Sequence, residues 1–291
     1  MSANKILAVF GQDDSNMENN RIDHYDWAAD SVNCVYMILM TGRCGSTWLT
    51  RLLADSGMCG EPDELFNETV MPRFNRTVNA SNFRDYFKGL VKNFSPGGRF
   101  GFKIDEYRFQ QLLPLINFSA VFPKSITRFF WMTRSDIVSQ GYSFARANAT
   151  GHWHDFKTHS VGKADHSVEL SDIHIWNEIL SIIAKEKRME AFFAAEGIEP
   201  INLSYEQMTA DRILTVMNTM NELECQPEEI HEYVQRLEDK TLKLEFGQKY
   251  KTLSQFNAKY KILLRNLGEN RVEKDLGDIR RKLQLDYNLP I

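Results

Sequence analysis

Residues 34–57 confine this chain to a narrow set of folds. Cys34-Val35-Tyr36-Met37-Ile38-Leu39-Met40 is an unbroken apolar run of strand length, the pattern of a strand covered on both faces in a parallel sheet. Thr41-Gly42-Arg43-Cys44-Gly45-Ser46-Thr47 follows at once. Trp48, Leu49, Leu52 and Leu53 then recur at helical spacing, and Gly57 suits a helix C-terminus. A strand passing into a helix through such a loop exposes backbone N–H groups at the helix start, where the partial positive charge favours an anion. A phosphate-like group is the expected guest, although a Gly-Ser-Thr turn also serves as plain capping.

A second unit of the same kind follows. Phe129-Phe130-Trp131-Met132 reads as a buried strand and runs into Thr133-Arg134-Ser135-Asp136, with a helix expected from about Asp136, N-capped by Ser135, to Gly151. Phe100-Gly101-Phe102-Lys103-Ile104, Val121-Phe122 and Glu199-Pro200-Ile201-Asn202-Leu203 are shorter strand candidates. A long amphipathic helix from about Ser171 to Glu196 precedes the last of them, and the chain after Arg212 reads as helical, with a polar interruption from Phe246 to Gln255. Alternating strands and helices predict an α/β fold with a mainly parallel central sheet flanked by helices.

Open parallel sheets bind ligands beyond the C-terminal ends of their strands, so parallel neighbouring strands would bring both arginine-bearing junctions to one end. Arg43 and Arg134 there suit a ligand with two separated anionic groups. The first loop lacks the lysine of a Walker A sequence, which disfavours a nucleoside triphosphatase. Six residues separate Cys44 from Arg51, one more than a phosphatase loop has, so Cys44 reads as a small filler. Asp136, Ser139, Gln140, Ser143 and Arg146 form a polar helical stripe that also reads as a solvated face; Ser143 is the functional candidate among them.

Composition sets the remaining bounds. A chain of 291 residues with a net charge of −4 has no general attraction for nucleic acid or acidic membranes, so an anion must be held by a few placed cations. Residues 1–31 read as an N-terminal extension in which the polar run Gln12–Asp26 offers little to a core; residues 32–291 read as one domain with a helical C-terminal part. Cys34, Cys44, Cys59 and Cys225 show neither zinc nor disulfide-framework spacing. With no signal-peptide pattern and no apolar stretch of membrane-spanning length, a cytoplasmic protein is expected. His152, His154, His159 and His166 cluster near Asp155 and Asp165 without the spacing of a metal motif, so no metal is expected.

Four ordered segments resemble the trehalose-type bacterial sulfotransferases: Arg43-Cys44-Gly45-Ser46-Thr47, Gly60-Glu61-Pro62-Asp63-Glu64-Leu65-Phe66, the run from Arg134 to Ala147, and Thr150-Gly151-His152-Trp153. The likeness runs from about Val35 to Tyr205 and continues loosely to about Tyr260. It implies a sulfotransferase fold related to nucleotide kinases and transfer of sulfuryl from 3′-phosphoadenosine 5′-phosphosulfate (PAPS) to a hydroxyl of a carbohydrate or similarly polar metabolite, without metal.

By that resemblance, Arg43, Cys44, Gly45, Ser46 and Thr47 hold the 5′-phosphosulfate, Arg43 acts on the developing charge, and Arg134 and Ser143 hold the 3′-phosphate. Lys249 and Lys251 lie where the family closes over that phosphate. Glu64 falls at the general-base position, and Glu61, His152 and Trp153 are expected to contact the acceptor. Without the match, Glu61 and Asp63 read as the acidic first turn of a helix after Pro62. Ala145 stands where the family carries tryptophan, and Cys44 where it carries serine. A homodimer is a further implication of the family. A nucleotide-binding protein without transferase activity would keep the arginines but need no base, and a small-molecule kinase would need the missing Walker lysine.

Overall fold

The computed structural model describes residues 4–151, 153, 170–239, 251–268 and 270–291. The chain forms two compact units: Met1–Thr133 with Phe192–Leu242, and Arg134–Ala191 with Lys243–Ile291.

The first unit is built on four strands, β1 (Cys34–Met40), β2 (Arg99–Asp105), β3 (Thr127–Thr133) and β4 (Ile201–Ser204), in the order β2-β1-β3-β4. All neighbouring pairs are parallel, as the apolar strand patterns imply. The chain leaves β1 for one side of the sheet and returns on the other, so the topological switch point lies between β1 and β3.

Register separates the two faces. Val35 pairs with Phe100 and Met37 with Phe102, putting these residues on one face with an aromatic layer in which Phe66 meets Phe102 at 4.8 Å and Trp27 meets Phe100 at 5.6 Å. Tyr36, Ile38 and Met40 occupy the other face with Phe130 and Met132. They pack against Leu49, Leu52 and Leu53 of the helix Ser46–Asp55 and against Val216, Met220, Tyr233 and Leu237. Burying each such Leu or Phe side chain contributes roughly 1.5–3 kcal/mol, which fixes the register because a one-residue slip reverses the faces.

Two local expectations fail here. The polar run after the first apolar patch does reach the interior: Ile22 and Asn20 are buried, and the side-chain Oδ1 of Asn20 accepts from the Phe83 N–H at 2.8 Å. Trp27, just beyond it, is buried and donates its ring N–H to the Val121 carbonyl at 2.7 Å. Val121 ends a short helix, Phe118–Val121, with Phe122 as its C-cap, rather than forming a strand. A short apolar pair carries no periodicity to separate the two, and Pro123 directly after it disfavours either continuing.

The second unit is helical. The helices Ile137–Thr150, Lys261–Leu267 and Leu276–Tyr287 share a core of Ile175, Trp176, Ile179, Ile183, Phe256, Tyr260, Leu263 and Leu283. The helix Asp172–Glu196 belongs to this unit as far as Ala191. The N-cap of Ile137–Thr150 is Asp136, not Ser135: its carboxylate accepts from the Ser139 N–H at 3.0 Å and the Ser139 hydroxyl at 2.5 Å. A carboxylate at a helix start adds charge attraction to the cap hydrogen bond, while the choice of Asp136 over Ser135 follows from where the backbone turns helical.

Candidate functional site

In the first unit the loop after β1 takes its shape from left-handed backbone. Gly42, Arg43 and Gly45 have φ values of 81°, 55° and 88°. Gly45 is the N-cap of the helix Ser46–Asp55, which has no side-chain cap there. A φ of 88° strains any residue with a side chain, and a Cβ at Gly45 would also sit 2.3 Å from Met208 Cε and 3.0 Å from the Tyr205 ring, so the backbone favours glycine at this point. Arg43 and Thr47 are half-buried, and Ser46 is buried. The Cys44 side chain is enclosed in the core, where burial pushes its thiol up; it is a neutral filler, not a nucleophile.

Glu64 is reached from β2. Lys103 pairs in register with Ile38 and so lies on the sheet face that packs against the helix Ser46–Asp55. Its backbone N–H donates to the Asp63 carbonyl at 3.0 Å, pinning the acidic loop to the strand. Its side chain is 1% exposed; the ammonium donates to Thr47 Oγ1 at 2.5 Å and stands 3.3 Å from Glu64 Oε1. Asn67 Nδ2 donates to the other Glu64 oxygen at 2.5 Å. A buried ammonium is tolerable only with such partners, and its charge favours the ionised form of Glu64.

The acidic segment is not a helix start. Glu61 is exposed and Pro62 buried in irregular backbone, and the next helix begins only at Met71. Asp105, further along β2, is engaged elsewhere. It caps the helix Glu106–Leu112 and pairs with Arg108 at 2.9 Å, while Arg108 also pairs with Glu68 at 3.0 Å. Burial raises the Asp105 carboxyl and Arg108 opposes the rise. Lys103 escaped the sequence reading although its signal is plain: a lysine in the middle of an otherwise apolar strand.

In the second unit, the backbone at Arg134 is held from the C-terminal region. Arg271 donates to the carbonyls of Arg134 and Ser135 at 2.7 and 3.1 Å and makes a two-pronged pair with Glu186, both contacts 2.7 Å. Arg271 and Glu186 are buried, and the pattern in sequence gave no hint of their pairing across 85 residues. Ser143 is half-buried on the helix Ile137–Thr150, whose polar stripe is not a solvated face throughout, because Gln140 is fully buried. Trp153 is 42% exposed and meets Phe144 edge-on at 5.5 Å, with Lys185 over the Phe144 ring at 5.0 Å. Ala145 is buried. His152, Lys249 and the histidines at 154, 159 and 166 lie outside the described residues, as does the side chain of Lys251, which opens the helix Lys251–Lys259. Among the described residues no group of three or more His, Cys, Asp or Glu is arranged to hold a metal ion, and no helix is long and apolar enough to cross a membrane.

The family model described as Stf0 sulphotransferase matches residues 35–91 and 111–252, which contain the β1 loop, Glu64, Arg134 and Ser143. The chain belongs to the Stf0 sulphotransferase family. The expected α/β sulfotransferase fold and transferase class follow, on the parallel sheet described above. Lys103 and Arg271 fall outside the matched residues of this sulphotransferase. It is similar to trehalose 2-sulfotransferase of Mycobacterium tuberculosis, with 26% identity over 207 residues that cover 58% of this chain and 76% of the relative. Among solved structures it overlaps a sulfotransferase from Alicyclobacillus acidocaldarius at TM-score 0.43 and 14% identity, covering 86% of this chain and 99% of the other. A retinol dehydratase in complex with retinol and PAP overlaps at TM-score 0.37 and 13% identity, covering 91% and 87%.

Proposed function

We propose that this sulphotransferase moves sulfuryl from PAPS to a hydroxyl of a carbohydrate or similarly polar small metabolite by direct in-line transfer, with Glu64 as general base. The observation that carries the reading is the Thr47–Lys103–Glu64 chain, which joins the anion-binding loop to a carboxylate through one buried cation. The loop fits an anion: left-handed backbone at Gly42, Arg43 and Gly45 turns the chain into a helix start with hydroxyl side chains at Ser46 and Thr47. A carbohydrate acceptor is supported by the relative's name, trehalose 2-sulfotransferase. The exposed Trp153 ring supplies the flat apolar surface that sugars stack on.

PAPS brings a sulfuryl group already activated by its link to phosphate. Glu64 accepts the proton of the attacking hydroxyl as the new oxygen–sulfur bond forms, because an unassisted sugar hydroxyl is a weak nucleophile at neutral pH. Lys103 keeps that carboxylate ionised and ready. Arg43, with the N–H groups of Gly45 to Thr47, holds the 5′ end and stabilises the negative charge left on the departing phosphate oxygen as the old sulfur–oxygen bond breaks. Arg134 and Ser143 select the 3′-phosphate by a guanidinium and a hydroxyl, aided by Lys249 and Lys251, while Glu61, His152 and Trp153 contact the acceptor. These residues need no metal, so transfer continues in the presence of a chelator.

The test is Glu64→Gln, which keeps the shape and removes the basicity. Sulfated-product formation with labelled PAPS should fall about 10²–10⁴-fold, while calorimetry with 3′-phosphoadenosine 5′-phosphate should give nearly unchanged affinity. Full activity in this variant removes Glu64 as the base. A parent enzyme that binds neither nucleotide removes PAPS as the donor.

A further inference from the structure

Cys59 and Cys225 are 166 positions apart in sequence, yet their sulfurs lie 3.7 Å apart in the interior of the first unit. Both are free thiols; Cys59 is fully enclosed and Cys225 retains 6% exposure. A disulfide bond is about 2.05 Å long, so roughly 1.7 Å of approach separates this pair from a bond.

The surrounding backbone holds the pair in place. The buried guanidinium of Arg99 donates to the carbonyl of Met58 at 3.3 Å and to that of Glu224 at 2.5 Å, the residues directly before the two cysteines. It also donates to Leu223 at 2.7 Å and Gly97 at 3.0 Å. Tyr36 Oη donates to the Cys59 carbonyl at 2.6 Å. Gly60, with φ of +72°, lets the chain after Cys59 pass so close to β2 that a Cβ there would lie 2.3 Å from the Arg99 carbonyl oxygen. One arginine and one tyrosine therefore fix both sides of a two-thiol site at the entrance to the segment that carries Glu61 and Glu64.

The two thiols differ in character. The hydrogen bond from Cys59, reinforced by the Arg99 charge, holds the Cys225 thiol below its ordinary value against the effect of burial. The Cys59 thiol is raised by that same bond and by burial. Cys225 is thus the sulfur that ionises, and it is also the less enclosed of the two.

We propose that Cys59 and Cys225 form an oxidisable dithiol, converted to an intramolecular disulfide by hydroperoxides and restored by thiol reductants. The Cys225 thiolate attacks the terminal peroxide oxygen; the O–O bond breaks, Cys225 becomes a sulfenic acid, and the alkoxide or hydroxide that leaves takes up the proton Cys225 released, giving alcohol or water. The Cys59 sulfur then attacks the Cys225 sulfur, the S–O bond breaks, and hydroxide departs with the Cys59 proton as water. Two thiols are oxidised and one hydroperoxide is reduced. Cys34, which burial pushes up to about 11, and Cys44, also raised by burial, stay reduced and serve as internal controls. This inference does not depend on the sulfuryl-transfer reading.

The experiment treats the full chain with hydrogen peroxide, alkylates remaining thiols in denaturant and maps peptides without reduction. The expected result is a Cys59–Cys225 linked peptide, loss of two of the four alkylatable thiols, and a higher melting temperature that dithiothreitol reverses, because the bridge closes a long loop in the unfolded chain. Cys59→Ala should give no link but a dimedone-trapped sulfenic acid on Cys225; Cys225→Ser should leave Cys59 far less reactive. Full alkylation of both cysteines after peroxide, a bridge from Cys225 to Cys34 instead, or equal sulfenic acid yields in the two variants would overturn the assignment.

Discussion

Lys103 Nζ stands 3.3 Å from Glu64 Oε1 and 2.5 Å from Thr47 Oγ1, so a single enclosed ammonium ties β2 to both the acidic loop and the helix after β1. Taking an ammonium out of water costs several kcal/mol, and only close polar partners offset it. The arrangement has a chemical consequence. It sets one enclosed cation between the carboxylate of Glu64 and the hydroxyl at the start of the helix after β1, the two groups that the proposed mechanism assigns to the base and to the anion-holding loop.

Lys103→Met keeps an unbranched side chain of nearly the same length and removes its charge. Turnover should fall about 10–100-fold, and the acid limb of the pH–rate profile should move to higher pH, because a carboxylate without a neighbouring cation holds its proton more tightly. Steady-state rates across the pH range read both effects. An acid limb that stays in place would mean that Lys103 does not govern the base.

Arg43 is expected to serve the transition state more than the ground state. In the proposed mechanism its guanidinium stabilises charge that grows on the leaving phosphate only as transfer proceeds, so Arg43→Ala or Arg43→Lys should lower kcat more than it weakens nucleotide binding. Single-turnover rates at saturating PAPS compared with calorimetric affinities separate the two. An unchanged rate constant would place the catalytic cation elsewhere.

The sequence made the β1-loop-helix unit legible because an unbroken apolar run, a Gly-rich turn and a 3.6-residue period change character within 24 residues. The same local signals announced β3, the helix Asp172–Glu196 and the arginines after β1 and β3. What stayed hidden depends on contacts distant in sequence. Lys103 looks like one charged residue in a strand until register sets it against Thr47 and Glu64, 56 and 39 positions away. Arg271 lies beyond the region that resembles the family, yet its fork reaches the carbonyls of Arg134 and Ser135. The N-cap at Asp136 was missed for a smaller reason: Ser135 and Asp136 are both good caps, and only backbone geometry chooses between them.

Arg134 should confer preference for a 3′-phosphate. The protein is expected to bind 3′-phosphoadenosine 5′-phosphate far better than AMP, and Arg134→Ala should erase most of the difference, about 1.5–3 kcal/mol for a lost charge-assisted contact. Paired calorimetric titrations measure it directly. Equal affinity of the parent protein for the two nucleotides would defeat the assignment of Arg134 and Ser143.

The final prediction concerns Arg271 and Glu186, whose side chains are 9% and 3% exposed and meet through two contacts of 2.7 Å. Removing one partner strands a buried charge, so Arg271→Met should destabilise the protein by about 3–5 kcal/mol, whereas replacing both by apolar residues of similar volume should recover much of the loss. Urea unfolding of the two single variants and the double variant tests this coupling. Arg271→Lys separates stability from site geometry: lysine keeps the charge but lacks the planar fork that grips Glu186 while also reaching the Arg134 and Ser135 carbonyls. That variant should remain folded and yet lose part of the preference for 3′-phosphoadenosine 5′-phosphate over AMP, because the backbone that presents Arg134 is no longer held. A folded Lys variant with full nucleotide preference would limit Arg271 to stability alone.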